Sequence, residues 1–266
     1  MDMSRVSTCT YPLREKEIDY ALRVCAEAGF KRADVWGRAP HFSEDQFQCD
    51  WPALKQTAAD LGIAVANLGT YPGRFFVAET EHERQAEMGK MKAAIEGAAY
   101  FGARSIRVMP GQGEDPAIVD QITPYFIEAA AYAEQRGVYL GMENHAGSLA
   151  GNPEVALRLC ENVNSPHFGV LYEPCNLYHG GVDYRTALEV FGDWVTHCHV
   201  KDGTIRGGEF SKTHLGEGDI DFVWVVENME AAGYTGHYAL EYEVADIEPC
   251  ETGMKKWYDR FAAKFG

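Results

Sequence analysis

Four ionisable side chains stand at the ends of four consecutive short apolar runs in the second half of the chain: Glu143, Glu173, His199 and Glu241. Alone, a glutamate there is usually a solvated loop residue or a salt-bridge partner, and a histidine in an apolar run is usually a hydrogen-bonded core group. Three carboxylates gathered at one place would repel one another unless a cation neutralised them. If the fold brings them together, these residues predict a divalent metal site.

The donor set of this predicted site is mainly hard and oxygen-rich. Three carboxylates with one imidazole suit Mn²⁺ or Mg²⁺, with Co²⁺ or Zn²⁺ as alternatives. The remaining coordination positions would take water or substrate oxygens, and such an open site is typical of catalysis rather than of a structural metal. The chain is therefore expected to be a metal-dependent enzyme.

The elements that must position these residues follow a repeating pattern, in which an amphipathic helix ends in glycine and a short β-rich run follows. Glycine tolerates the left-handed conformation that closes a helix. Eight strands result, at 6–9, 33–36, 64–68, 105–109, 139–143, 168–172, 196–200 and 238–242, with helices at 15–28, 51–61, 80–101, 116–136, 153–162, 184–192, 220–232 and 249–264.

Eight β/α alternations in 266 residues predict an α/β protein of (β/α)8 TIM-barrel type, with residues 1–266 as a single domain. In such a barrel the carboxyl ends of the strands surround one mouth, so the four residues would converge there. The main alternative, an open doubly wound sheet, normally carries a glycine-rich loop after its first strand, and residues 8–12 have none. The longest predicted irregular segment, 202–218, is expected to act as a lid.

Composition excludes several classes of protein. The net charge of −16 argues against nucleic-acid binding, and no run of eighteen apolar residues predicts a membrane span. The first sixteen residues lack the pattern of a secretory signal. Seven cysteines with no CxxC pair indicate reduced thiols, so a cytoplasmic location is predicted.

Several strand-end segments resemble the xylose isomerase-like sugar phosphate isomerase/epimerase superfamily, whose members include tagatose 3-epimerase-like, hydroxypyruvate isomerase-like, inosose isomerase and inosose dehydratase enzymes. The resemblance covers essentially the whole chain and implies a Glu-Asp-His-Glu metal site, here Glu143, Glu173, His199 and Glu241. The chain departs from the family at Glu173, where the extra methylene moves the carboxylate outward by roughly one C–C bond. The segments are MENH (142–145), YEPCN (172–176), HVKD (199–202), LGEGDID (215–221) and LEYE (240–243).

The resemblance also implies an activity. A sugar or cyclitol isomerase or epimerase removes a proton next to a carbonyl and passes through an enediolate, with Glu143 and Glu241 as the acid/base pair. His145 is a further candidate acid/base, and its alternative is a surface loop residue. Five residues are candidate substrate ligands, each beside a plainer alternative: Trp36 (core aromatic), Arg107 (ion-pair partner), Asn176 (turn former), Lys201 (partner of Glu241) and Arg206 (solvated loop residue).

Three other functions are alternatives to this activity. A lyase, either a keto-inositol dehydratase or an enzyme that cleaves 3-keto-glycosides or C-glycosides, would use the same enolate. A DNA-repair endonuclease on this barrel would need a histidine-rich multi-zinc cluster and a basic surface, against a net charge of −16. A non-catalytic sugar-binding barrel is the third. The expected partner is a small sugar or cyclitol, with neither nucleic acid nor membrane, and the family implies a homo-oligomer with a hetero-oligomer as the alternative.

Overall fold

The computed structural model describes residues 1–266, and eight of its strands close into a parallel barrel. Around the barrel the order is β1-β10-β7-β6-β5-β4-β3-β2, which confirms the predicted (β/α)8 fold. The short apolar runs form strands because helices cover one face and barrel-interior side chains the other. These strands are β1 (Val6–Cys9), β2 (Arg32–Trp36), β3 (Ala64–Gly69), β4 (Ser105–Val108), β5 (Tyr139–Glu143), β6 (Phe168–Tyr172), β7 (Val195–Val200) and β10 (Tyr238–Leu240).

Helices follow the barrel strands, and their ends carry the expected signals. Asp50 accepts a hydrogen bond from the backbone of Ala53, and Asn152 caps the helix that starts at Pro153. Gly102 ends the longest helix with φ of 70°. The helices are α1 (Ile18–Glu27), α2 (Trp51–Asp60), α3 (Glu81–Phe101), α4 (Val119–Glu134), α5 (Pro153–Val163), α6 (Pro174–His179), α7 (Tyr184–Phe191), α8 (Phe222–Ala231) and α9 (Cys250–Phe265).

The segment predicted to be irregular contains regular structure, so that prediction is wrong in detail. Strands β8 (Asp202–Arg206) and β9 (Glu209–Thr213) form an antiparallel ribbon outside the barrel. Gly207 and Gly208 connect them with φ of 62° and 87°, the positive angles that a tight hairpin turn requires. The ribbon has mostly polar side chains, so its sequence lacks the apolar alternation by which strands are recognised.

Two compact units make up the chain, one comprising residues 1–66 and 198–266, the other residues 67–197. In the first, β1 pairs with β2 and β10, and β10 pairs with residues 198–200 of β7. In the second, β5 pairs with β4 and β6, and Phe126 packs on Phe168 with ring centroids 4.8 Å apart. No helix combines the length and apolar character needed to cross a bilayer.

Candidate active site

Glu143 is the last residue of β5 and is only 8% exposed. Its Oε2 lies 2.8 Å from Nη1 of Arg107 on β4. Arg107 is paired in register with Gly141, and side chains two residues apart share a strand face, so Arg107 and Glu143 project to the same side. The pairing follows from the strand register and fixes the position of the Glu143 carboxylate.

The guanidinium of Arg107 makes further contacts. It donates to the carbonyl oxygens of Thr70 and Gly69 at 3.1 and 3.3 Å, and it lies 4.2 Å from the ring centroid of Tyr71. Burial disfavours the charged form, yet Glu143 and Tyr71 raise the pKa of Arg107 above its ordinary value. Arg107 was predicted as a substrate ligand or an ion-pair partner, and in the structure it is the partner of Glu143.

Glu173 follows β6, is fully buried, and caps the N-terminus of α6. Its Oε1 accepts from the backbone N–H of Cys175 at 2.9 Å, and its Oε2 accepts from that of Asn176. The side chain of Asn144 bonds both backbone groups of Glu173, at 2.8 and 2.6 Å. The carboxylate thus satisfies two N–H groups at the positive end of a helix. Each of its oxygens has a second lone pair, so the role of metal ligand stays a prediction.

His199 and Glu241 lie together at the carboxyl ends of β7 and β10, which are neighbours in the barrel. His199 Nδ1 is 3.6 Å from Glu241 Oε2, and the two residues are 4% and 7% exposed. The other ring nitrogen of His199, Nε2, lies 3.4 Å from Asp34 Oδ2 and 3.9 Å from Cys9 Sγ. Nδ1 of the imidazole therefore faces the predicted acid/base glutamate, whereas Nε2 faces buried groups on β1 and β2.

Lys201 lies two residues after His199 and shares its side of the chain. Its Nζ is 2.8 Å from Glu241 Oε2 and 2.9 Å from Glu243 Oε2, and Lys212 on β9 also reaches Glu243 at 2.9 Å. Burial alone would raise the pKa of Glu241, but Lys201 and His199 hold it well below its ordinary value. Of the two predicted roles of Lys201, the structure shows the ion pair with Glu241.

Cys9 and Asp34 were not among the predicted site residues. Their ligand atoms and those of His199 all lie within 4.8 Å of one another, and all three residues are buried. Burial raises the pKa of the Cys9 thiol to about 12, so the thiol is neutral at physiological pH. The available sequence signal was the single acidic residue in the apolar run Ala33-Asp34-Val35.

Two other predicted substrate ligands, Trp36 and Arg206, lie on different elements of the first unit. Trp36 ends β2, is partly exposed, and donates its backbone N–H to Thr10 Oγ1 at 2.9 Å. Its ring contacts those of Tyr11 and His41 edge-on. Arg206 is 69% exposed and forms a bidentate pair with Asp219, so the structure places it on the ribbon as a surface ion pair.

A cavity of about 360 Å³ opens in the second unit, between the loops that follow β5 and β6. His145 is exposed, and its Nδ1 donates to the carbonyl of Ala146 at 2.7 Å, which leaves Nε2 as the acceptor of the neutral ring. No lysine or arginine lines the cavity. Its polar lining consists of Glu114, Asn144, His145, Ser148, Asn152 and Asn176.

Comparison with curated proteins finds enzymes of sugar and cyclitol metabolism. L-ribulose-5-phosphate 3-epimerase UlaE of Salmonella paratyphi A is 26% identical over 223 residues, which cover 80% of this chain and 78% of the epimerase. The inosose dehydratase of Geobacillus thermodenitrificans is 28% identical over 142 residues, 46% of this chain and 47% of the dehydratase. An uncharacterized protein of Methanocaldococcus jannaschii is 26% identical over 172 residues, 60% of this chain. The chain thus spans 58% and 47% of the length of two of these relatives.

Solved structures agree on the fold. The IOLI protein with a bound zinc atom superposes with a TM-score of 0.78 at 15% identity, over 97% of both chains. At the level of sequence, residues 22–261 match the family described as xylose isomerase-like TIM barrel. Because this match spans nearly the whole closed barrel, the chain belongs to the xylose isomerase-like TIM barrel family.

Proposed function

We propose that the chain is a divalent-metal-dependent isomerase or epimerase of a small sugar or cyclitol ketone. The observation that carries the proposal is a pair of buried glutamates at the carboxyl ends of barrel strands, each held by a cation that is partly or fully buried. Glu143 is bound by Arg107, and Glu241 by Lys201, both at 2.8 Å. One such carboxylate can remove a proton next to a carbonyl, and the second can return one to carbon.

The proposed metal ligands are Glu143, Glu173, His199 and Glu241. Two atoms bound to one ion at about 2.0–2.2 Å are separated by about 3.0–3.7 Å for ordinary coordination angles. The 3.6 Å between His199 Nδ1 and Glu241 Oε2 fits this spacing. When bound, the cation would supply Lewis-acid polarisation of the substrate carbonyl.

The side chains of this chain would do the rest of the chemistry. Lys201 keeps Glu241 ionised, so that its carboxylate can accept a proton from the carbon next to the carbonyl. For transfer to the other face, Glu143, held in place by Arg107, would start the turnover carrying a proton and give it to carbon, while Glu241 keeps the proton that it has removed. If the proton returns to the opposite face of the same carbon, the sugar is epimerised, and if it returns to the neighbouring carbon, the sugar is isomerised.

The cavity beside the mouth loops supports an unphosphorylated substrate. Amide and hydroxyl groups line it with one carboxylate, Glu114, and with neither lysine nor arginine. A phosphate would be repelled by Glu114 and would find no lysine or arginine of the kind that commonly binds phosphate. Neutral hydroxyl groups, by contrast, can accept from the side-chain N–H groups of Asn152, whose Oδ1 caps α5, and can bond the hydroxyl group of Ser148. We therefore propose a neutral polyhydroxy ketone as substrate, unlike the phosphorylated sugar in the name of the epimerase relative.

A lyase is the second candidate, and His145 is the observation that favours it. His145 lines the cavity, and because its Nδ1 donates to the Ala146 carbonyl, Nε2 is the ring nitrogen left for proton transfer. When protonated, Nε2 could give a proton to a leaving hydroxyl group, so that elimination of water follows removal of the α-proton. The dehydratase relative makes this reaction class the natural alternative.

A substrate screen separates these candidates. Chelator-treated protein would be assayed with and without Mn²⁺ on keto-sugars, keto-inositols and oxidised glycosides, with products followed by mass spectrometry and NMR. We expect metal-dependent conversion at constant mass, whereas loss of water would identify the lyase. Glu143→Gln and Glu241→Gln should lower turnover by at least about 100-fold, as removal of a general acid or base does. Glu128→Gln, on an exposed carboxylate of α4, is the matched control. Conversion that needs neither Mn²⁺ nor these glutamates would overturn the proposal.

A further inference from the structure

We propose that Asp34, held by Ser7, is a positioning residue that fixes the ring of His199 so that Nδ1 faces Glu241 and the metal. The inference rests on the proposed metal role of His199 and assigns a function to a residue that this role alone does not explain. Asp34 lies on β2, and two strands, β1 and β10, stand between it and His199 on β7 in the closed order of the barrel.

The contacts of Asp34 define a short chain of polar groups through the first unit. Ser7 Oγ on β1 donates to Asp34 Oδ1 at 2.6 Å, and Asp34 Oδ2 faces His199 Nε2 at 3.4 Å. Ser7 is fully buried and Asp34 is 3% exposed. A hydroxyl bond to one carboxylate oxygen limits rotation of the group and directs the other oxygen at the imidazole.

The burial of the Asp34 carboxylate indicates that this side chain has a specific partner. Moving a carboxylate from water into a protein interior costs several kcal/mol unless hydrogen bonds or charges compensate. At 3% exposure, the Asp34 carboxylate is not stabilised by solvent. The carboxylate is instead placed where a ring nitrogen of His199 needs an acceptor.

The chemistry of a histidine ligand supplies that need. One ring nitrogen can bind a metal only when it carries no proton, and an acceptor on the other nitrogen keeps the proton there. With Asp34 at Nε2, the neutral ring carries its proton on Nε2, and Nδ1 presents its lone pair toward Glu241. Without Asp34, the ring could rotate or take the other tautomer. Metal binding would then require the ring to return to the orientation and tautomer with an unprotonated Nδ1, which lowers the affinity for the metal.

The test measures metal binding rather than turnover. Mn²⁺ would be titrated calorimetrically into chelator-treated wild type, Asp34→Asn, Ser7→Ala and Glu87→Gln. Glu87 on α3 is the matched control, because it is also a buried carboxylate, 3% exposed. It accepts hydrogen bonds from the backbone N–H groups of Gly73 and Phe75 and has no proposed role at the metal. Long-range ¹H–¹⁵N spectra of the Zn²⁺-loaded proteins, with the signal assigned by His199→Gln, would report the protonated nitrogen of His199.

We expect Asp34→Asn to weaken Mn²⁺ binding by about 10–100-fold, Ser7→Ala by a smaller factor, and Glu87→Gln not at all. The spectra should show His199 with Nε2 protonated in wild type and a loss of this single state in Asp34→Asn. Equal affinity of wild type and Asp34→Asn, or an equal loss in Glu87→Gln, would overturn the inference. If Asp34→Asn does not fold, the test rests on Ser7→Ala. A Ser7→Ala protein with the Mn²⁺ affinity and the His199 spectrum of wild type would then overturn the inference. A wild type that binds no Mn²⁺ would instead remove the proposed function itself.

Discussion

Arg107 and Glu143 form a largely buried ion pair of 2.8 Å in which the arginine is also anchored by the carbonyl oxygens of Thr70 and Gly69. The other proposed acid/base glutamate is held differently, because Lys201 divides its hydrogen bonds between Glu241 and Glu243. An arginine stays charged and rigidly oriented, whereas a lysine is a compact charge on a flexible stem. Glu143 should accordingly be the more firmly positioned of the two carboxylates.

Arg107→Met tests this pair. Removal of one partner leaves the Glu143 carboxylate buried without its cation, so we expect the free energy of unfolding to fall by about 3–5 kcal/mol. Arg107→Met combined with Glu143→Gln should recover part of that loss, because the uncompensated charge is then gone. Urea denaturation of the metal-free proteins provides the measurement.

The control for Arg107→Met is Arg206→Met, which breaks the exposed pair with Asp219 on the ribbon. Surface pairs contribute about 0–1 kcal/mol, so this variant should unfold almost as wild type does. Similar losses in both variants would contradict the special position of the Arg107–Glu143 pair.

Glu173 should show two separable effects. Glu173→Gln offers one acceptor oxygen to two backbone N–H groups and loses the charge at the start of α6, so the metal-free protein should lose about 1–2 kcal/mol of unfolding free energy. Its role as the fourth ligand adds an expected decrease of about tenfold in Mn²⁺ affinity. Asn152→Ala removes a cap that has no proposed metal role, at the start of α5, and should lower stability without lowering affinity. A metal-free Glu173→Gln as stable as wild type would refute the capping role.

The barrel could be predicted from the sequence because its signals are local. Apolar runs and glycine helix ends mark the strands, and strand ends identified Glu143, His199 and Glu241, which lie at or next to the ends of β5, β7 and β10. The cap at Glu173 was missed because glutamate is not among the usual capping residues, and α6 has only six residues. Asp34 was missed because its contact with His199 joins residues far apart in the chain. Pairings of this kind depend on strand order around the barrel, which no local pattern encodes.

Asp202 is expected to hold the β8–β9 ribbon and the segment after it in their folded conformation. It is 1% exposed and accepts four backbone N–H bonds, from Gly203 and Ile220 to Oδ1 and from Gly216 and Gly218 to Oδ2. Asp202→Asn would turn an NH₂ group toward N–H donors, so we expect a loss of about 2–3 kcal/mol. Limited proteolysis should then cut within residues 203–218 faster than in wild type.

Asp259→Asn is the control for the ribbon, because Asp259 is an exposed residue whose partner is Lys255. This variant should resist proteolysis as wild type does. Unchanged cleavage in Asp202→Asn would show that other contacts hold the ribbon.

His41 predicts a pH dependence of stability. It is fully buried, with Nδ1 2.8 Å from Thr10 Oγ1 and Nε2 3.1 Å from the carbonyl oxygen of Lys16. The carbonyl accepts from Nε2–H, so Nδ1 is the acceptor for the Thr10 hydroxyl, and this pattern needs the neutral ring. Burial lowers the pKa of His41 below its ordinary value of 6.5, although bonds to the Lys16 and Leu13 backbone oppose the shift.

The sign of this dependence follows from linkage. The unfolded chain binds a proton at His41 near pH 6.5, whereas the folded protein resists it, so the stability contributed by His41 is present above pH 6.5 and is lost as the pH falls toward the folded-state pKa. Thermal unfolding midpoints between pH 7.5 and 5 should therefore decrease more steeply for wild type than for His41→Gln. The exposed His179→Gln serves as the control and should keep the wild-type slope. Parallel slopes in wild type and His41→Gln would mean that His41 is not the titrating group, because only a group with different folded and unfolded pKa values can couple folding to pH.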